Sequence, residues 1–210
     1  MMYDFDNAPL PEGPAVIAAL RTAASDAGFL MSCDDRTGAF LATLAAAVPP
    51  GGRILELGTG VGAGSAWLLS GMAAEGVELV SVELDETVQA VARKHLGDDP
   101  RVSFVAADGG AWLDAYRGDP FDLVFADTWP GKFTHLDGAL KLVKPHGTYV
   151  IDDLYPQPGR PEGHQAEVDR VLGELFARRD FTCVRMGQKG VSCGVLAAER
   201  SRGGSTRRGR

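Results

Sequence analysis

From residue 53 onward the chain alternates short β-rich runs with helical stretches, and this limits its fold more than any other feature. The runs 53–57, 79–84, 102–106, 121–126 and 148–151 are rich in β-branched and large apolar residues. Between them, 64–74, 86–96, 110–116 and 133–143 carry apolar residues at helical spacing. Strands separated by helices predict right-handed crossovers and a parallel sheet with helices on both faces. The runs are almost continuously apolar, as strands covered on both sides are. The ending differs. A helix over 165–178 leads to a strand over 181–186. Gly187-Gln188-Lys189-Gly190 then turns the chain into 191–197 as an antiparallel hairpin. The expectation is an α/β chain with an open, seven-stranded, mostly parallel sheet that ends in an antiparallel hairpin.

Two helical patterns precede the alternation, over 14–30 and 37–48, and Pro49-Pro50-Gly51-Gly52 ends the second. A length of 210 residues suits one ordinary domain. Residues 1–50 are expected to cap an acceptor site as one unit with a ligand-binding domain over 51–200. No apolar run approaches the ~20 residues of a membrane helix. The acidic, Pro-rich start reads as neither a secretory signal nor a transit peptide. Cys33, Cys183 and Cys193 form no CxxC pair, which points to a reducing, cytoplasmic setting. The formal charge is −7, but the last ten residues carry four arginines and no acid, leaving −11 on residues 1–200. The segment 201–210 reads as a disordered basic tail. An acidic core argues against a nucleic-acid partner, and the N-terminal helices are compatible with a homodimer.

The densest chemical signal is Ile54-Leu55-Glu56-Leu57-Gly58-Thr59-Gly60-Val61-Gly62-Ala63-Gly64-Ser65. It ends the first strand and opens a helix. Gly58, Gly60 and Gly62 allow a tight turn and a close backbone approach. The helix start offers free N–H groups, and Thr59 and Ser65 add hydroxyls. The stretch also satisfies a loose dinucleotide pattern. Glu56 points elsewhere: a carboxylate there repels a pyrophosphate and receives an ammonium. Glu83, followed by Leu84, ends the second strand and suits a pair of ribose hydroxyls. Asp108, followed by Gly109, ends the third and suits an adenine amine. Trp112 covers that adenine or belongs to the core.

This E-x-G-x-G-x-G segment resembles motif I of the class I S-adenosylmethionine (SAM)-dependent methyltransferases, a Rossmann-like fold. The tips of the fourth and fifth strands, Asp127-Thr128-Trp129-Pro130-Gly131-Lys132 and Asp152-Asp153, resemble the small O-methyltransferases of the catechol and caffeoyl-coenzyme A type. The resemblance implies SAM as cofactor and a small hydroxylated molecule as acceptor. It also implies a divalent ion, Mg²⁺ or Ca²⁺, on Asp127, Asp152 and Asp153. Two departures stand out. Asp153 replaces an asparagine of the family pattern, and the lysine expected three residues after Asp127 is displaced to Lys132. The alternative is transfer without metal, with Lys132, His164 or Asp127 as base. Trp129 stacks on an aromatic acceptor or walls the pocket. His135 falls on a helix near the site, and the Pro-rich stretch 155–164 is a candidate lid. Other classes are an NAD(P)-dependent oxidoreductase and an RNA-binding methyltransferase-like protein. Against the first, no Tyr-x-x-x-Lys pair occurs.

Overall fold

The structure is a computed structural model, and it describes residues 12–155, 162–187 and 194–201. The hairpin turn and most of the candidate lid lie outside the described residues, as does all but the first residue of the basic tail.

The chain begins with α1 (Ile17–Asp26) and α2 (Asp35–Ala46). It then runs β1 (Arg53–Leu57), α3 (Ala63–Gly71), β2 (Glu78–Glu83), α4 (Glu86–Leu96), β3 (Val102–Ala106), α5 (Gly109–Ala115) and β4 (Phe121–Ala126). After β4 come α6 (Trp129–Lys132), α7 (Leu136–Lys141), β5 (Val143–Ile151), α8 (His164–Ala177), β6 (Phe181–Gly187) and β7 (Gly194–Arg200). The sheet order is β3-β2-β1-β4-β5-β7-β6. The first five of these strands pair in parallel, and β7 pairs antiparallel with both β5 and β6. The expected α/β sheet with a terminal hairpin is therefore present.

The helices expected over 14–30 and 64–74 are Ile17–Asp26 and Ala63–Gly71, the last strand is Gly194–Arg200 instead of 191–197, and two elements next to the site differ further. The fifth strand starts at Val143 instead of residue 148, because His146 takes a left-handed φ of 66° that carries the strand through the Pro145-His146-Gly147 turn. The helix expected over 133–143 shrinks to Leu136–Lys141. Its first residues are spent on a kinked turn, where Pro130 is extended and Gly131 has φ 90°. At Gly131 a Cβ would stand 2.6 Å from a Leu57 methyl, so only glycine lets the turn lie on β1. The buried Tyr149 hydroxyl donates to the Gly131 carbonyl and fixes the turn from the other side.

Strand parity divides the core. Leu55, Leu57, Val124 and Tyr149 face α7 and α8. Ile54, Leu123, Phe125 and Val150 face the side of α1, α2, α3 and α4. Glu56 shares the parity of Ile54, and Asp127 that of Phe125. The pleat therefore sends two carboxylates to the α3 side, at the C-terminal ends of adjacent strands. β1 and β4 are also where the strand order reverses, which is where an open α/β sheet forms its crevice.

The leading helices belong to this packing. Asp34 caps α2 by accepting from the amides of Arg36 and Thr37. Gly38 of α2 lies flat on Trp67 of α3, where a Cβ would meet the indole at 2.3 Å. Among the described residues no helix is long and apolar enough to cross a membrane.

Gly38→Ala should therefore cost about 1–3 kcal/mol through overpacking. Gly173→Ala, on α8 with nothing within 4 Å of its added methyl, should be neutral or gain up to ~1 kcal/mol. Urea denaturation of the two variants measures the contrast.

Candidate active site

Two adjoining cavities open over the C-terminal ends of the parallel strands. The first, about 330 Å³, is lined by Glu56, Gly60, Asp127, Phe29, Met31 and Cys33, among others. The second, about 390 Å³, is lined by Leu84, Asp108, Gly109, Pro130 and His135, among others. Gly58, Glu83, Thr128 and Trp129 line both and mark the passage between them.

Glu56 is fully buried beneath the start of α3. Its Oε2 accepts from the Ser65 and Ser81 hydroxyls. Its Oε1 accepts from no group and faces Gly64, where a Cβ would stand 2.4 Å away. Burial pushes the Glu56 carboxyl up to about 7, the two serine hydroxyls pull it back only in part, and Glu83 adds to the rise. A buried acceptor with one oxygen unpartnered is a strong attractor for a cation that brings its own donors.

The glycine loop is tied on both sides. The Gly58 amide donates to the Val82 carbonyl at 2.9 Å, and a Cβ on Gly58, at φ 100°, would stand 2.8 Å from the Asp127 carbonyl oxygen. Thr59 is buried: its hydroxyl pairs with Ser81 at 2.6 Å and accepts from Gln89 at 3.1 Å. Gly62 caps α3 in the left-handed region and packs on Ala92 of α4. Gly58 and Gly60 line the first cavity, whereas Gly62 is needed for helix packing. Ser65 was expected as a donor to a ligand. Instead it is buried and spends its hydrogen on Glu56.

Glu83 stands at the junction of the cavities. Its Oε2 accepts from the Gly60 amide at 2.9 Å, and its Oε1 from the amides of Leu84 and Asp85 at 2.9 and 3.1 Å. Asp108 caps α5 through the Ala111 amide at 2.8 Å. It borders the second cavity with Gly109 and the exposed Leu84. Trp112 does not line either cavity. It stacks on Tyr116 with ring centroids 4.6 Å apart and packs against the core.

On the other side, Asp127 lines the first cavity and its Oδ1 is buried without a hydrogen-bond partner. Burial raises its carboxyl well above the usual range. Lys132 opposes that shift, while Asp152, Asp153 and Glu56 reinforce it. The Lys132 side chain is 4% exposed and lines neither cavity. Its Nζ lies 3.7 Å from Asp127 Oδ1 and donates to the Asp152 carbonyl oxygen at 3.1 Å. Asp152 is buried and its Oδ1 accepts from the Asp153 amide at 2.6 Å, with Asp153 in the left-handed region at φ 61°. Lys132 therefore lies behind the cavity wall.

The donor set does not fit a divalent ion. Among the described residues no group of three or more His, Cys, Asp or Glu side chains is arranged to hold one. The two carboxylate-bearing strand tips meet an ammonium instead.

His164 opens α8 and is buried, edge-on to Phe133 with centroids 5.3 Å apart. Phe133 in turn meets Trp129 edge-on at 5.1 Å. These rings form the wall behind Trp129, and His164 lines neither cavity. Trp129 itself is 47% exposed.

Sequence reasoning missed several residues. Gln89, wholly buried, donates to Thr59 and to the carbonyls of Ser81 and Val105. Ser81 holds Glu56. Its place in a strand gave no hint beyond a polar residue in an apolar run. The arm 29–33 walls the first cavity; the helix expected over 14–30 ends at Asp26 instead, which frees Phe29 and Leu30 to join it. Burial and the charges of Asp127, Asp152, Glu56 and Asp34 push the Cys33 thiol up. His135, expected on a helix near the site, instead precedes α7 at φ 54°, lies over Gly110 and borders the second cavity.

Comparison with known proteins agrees with this geometry. Residues 55–154 match a family model described as a methyltransferase domain. A catechol O-methyltransferase of Mycobacterium tuberculosis is 33% identical over 71% of this chain and 69% of its own length. A putative O-methyltransferase of Mycolicibacterium smegmatis is 34% identical over 75% of this chain and 77% of its own. The Bacillus cereus O-methyltransferase, solved in complex with SAH, superposes with a TM-score of 0.77 at 19% identity, covering 93% of this chain and 94% of that one. The O-methyltransferase TomG of Streptomyces achromogenes, solved with SAM, gives a TM-score of 0.76 at 24% identity and covers 94% of each chain. Such likenesses do not favour the oxidoreductase reading. The chain belongs to the O-methyltransferase family and is a methyltransferase.

Proposed function

We propose that the protein transfers a methyl group from SAM to a hydroxyl oxygen of a small molecule. The observation that carries this reading is the unpartnered, buried Glu56 oxygen at one end of a passage that leads past Glu83 to Asp108. An amino-acid ammonium suits Glu56 and the glycine loop. Ribose hydroxyls suit Glu83, and an adenine suits the lobe of Leu84, Asp108 and Gly109. A pyrophosphate would meet Glu56 and Glu83 and be repelled, which disfavours NAD(P). SAM and SAH complexes of the two solved relatives support the same assignment.

When bound, SAM supplies an electrophilic methyl on a sulfonium. The protein's part is to orient the acceptor, exclude water and take a proton. Phe29, Met31 and Trp129 give the first cavity apolar walls that suit a flat or aromatic acceptor. The name of the tuberculosis relative, a catechol O-methyltransferase, points to the same class. Glu56, Glu83, Cys33 and Asp127 are the ionisable groups that line this cavity, and with both glutamates given to the cofactor, Asp127 is the carboxyl left for the acceptor. Its burial raises its basicity, so it can accept the hydroxyl proton as the carbon–oxygen bond forms. Lys132 and His164 lie behind the wall and do not reach the acceptor. Close positioning of oxygen and methyl supplies much of the rate.

Calorimetry with S-adenosylhomocysteine (SAH) tests the cofactor assignment. The wild type is expected to bind at about micromolar Kd, near −8 kcal/mol. Glu83→Ala should weaken binding at least about tenfold, or ~1.4 kcal/mol. Gly60→Val should abolish it, since even a Cβ there stands 2.9 Å from the Phe29 ring. A folded wild type that binds no SAH would sink the proposal.

The pH dependence follows from Glu56. Its folded-state pKa is raised from 4.5 to about 7, so below that pH the carboxyl is neutral and must lose a proton to pair with an ammonium. SAH affinity should rise with pH up to about 7 by as much as about tenfold per unit, then level off, with a proton released on binding at pH 6. Glu56→Gln should flatten this profile. Between pH 4.5 and about 7 the unfolded chain holds fewer protons at this position than the folded one, so ligand-free stability should fall as pH rises through that window. Thermal unfolding of wild type and Glu56→Gln at several pH values reads that loss.

A further inference from the structure

We infer that the Lys132 ammonium takes the place of a divalent ion in this chain, tying the tips of β4 and β5 together so that the site is assembled without metal. This rests on the methyl-transfer reading for its purpose but not for its test. The ammonium is 3.7 Å from Asp127 Oδ1, donates to the Asp152 carbonyl at 3.1 Å, and lies 5.3 Å from the centre of the Phe133 ring. Its side chain is almost wholly buried. A buried cation must be paired, and the strand tips supply the pairing.

The local backbone explains why a lysine is there. The Pro130-Gly131 kink lengthens the path from Asp127 to Lys132 and turns the lysine inward beneath the wall. The turn is closed by the Gly131 amide donating to the Thr134 carbonyl at 2.7 Å and by Tyr149 on the Gly131 carbonyl. The two departures from the family pattern thus belong together. The displaced lysine reaches the space between the strand tips, and Asp153, at φ 61°, donates its amide to Asp152. A divalent ion on Asp127 and Asp152 would sit against an ammonium and be repelled. Lys132 acts through Asp127, as a positioning residue that holds the carboxylate at the wall of the first cavity.

The test uses Mn²⁺ alone as probe, with the full chain. Electron paramagnetic resonance titration of the wild type should show no saturable site below about 1 mM, the weak end of protein oxygen sites for hard cations. Lys132→Met keeps the buried stem and removes the charge, and Lys132→Ala leaves more room. At least one should gain Mn²⁺ affinity tenfold or more, lost again when Asp127→Asn is added. Mn²⁺ should raise the melting temperature of that variant and leave the wild type unmoved, a readout that a purely structural lysine would not produce. A saturable wild-type site that Asp127→Asn removes would overturn the inference, as would folded variants that gain no affinity. Should neither variant fold, the wild type decides: SAH binding unchanged by EDTA with no Mn²⁺ site supports the inference, and a Mn²⁺ site refutes it. Absence of SAH binding would count against the cofactor proposal alone, because the Mn²⁺ arms need no cofactor.

Discussion

The carboxylate of Glu56, buried with one oxygen unanswered, is the constraint around which the site is arranged. Removing a carboxylate from water costs several kcal/mol unless donors replace the lost hydration. Ser65 and Ser81 replace part of it, and the rest is left open towards the cavity. Holding that group in place needs β1 and β2 in register, the glycine loop drawn against Asp127, and Gly64 without a side chain. Gln89 then braces Thr59, Ser81 and Val105 from α4. The polar interior on this side of the sheet is a network built outward from one acid.

Much of this was legible in the sequence because it depends on period and spacing. Alternating strands and helices set the sheet, and the strand bounds 53–57, 102–106 and 121–126 agree with the structure to the residue. Glu56, Glu83, Asp108 and Asp127 all border or underlie the cavities, since acids at strand ends inherit their place from topology. Residues set by tertiary packing were less legible. Nothing in Ser65 says that its hydroxyl serves a glutamate nine positions earlier. His164 follows a Pro-rich stretch and reads as a candidate base, yet it is buried against Phe133.

The region after β4 shows the physical reason most clearly. Apolar spacing predicted a helix from residue 133, and the sequence alone left Lys132 as a candidate base. Spacing carries no information about φ, and the Gly131 conformation decides where the lysine goes. One left-handed glycine therefore separates a lysine that would line the first cavity from one buried behind its wall. Its neighbours Trp129 and Phe133 are turned in the same step to make the aromatic wall.

The arm between α1 and α2 has a wider meaning. Phe29 lies over Gly60, Met31 and Cys33 line the first cavity, and Leu30 and Met31 are largely exposed. The parallel strands supply the charged floor of this cavity, while a segment that precedes the sheet in the chain supplies its roof. Floor and roof thus answer to different structural constraints. The floor is bound to the sheet topology and must keep its acids, whereas the arm has no ladder of strand hydrogen bonds to preserve. Substitutions ahead of the first strand can therefore reshape this cavity from above while the acids beneath it stay in register.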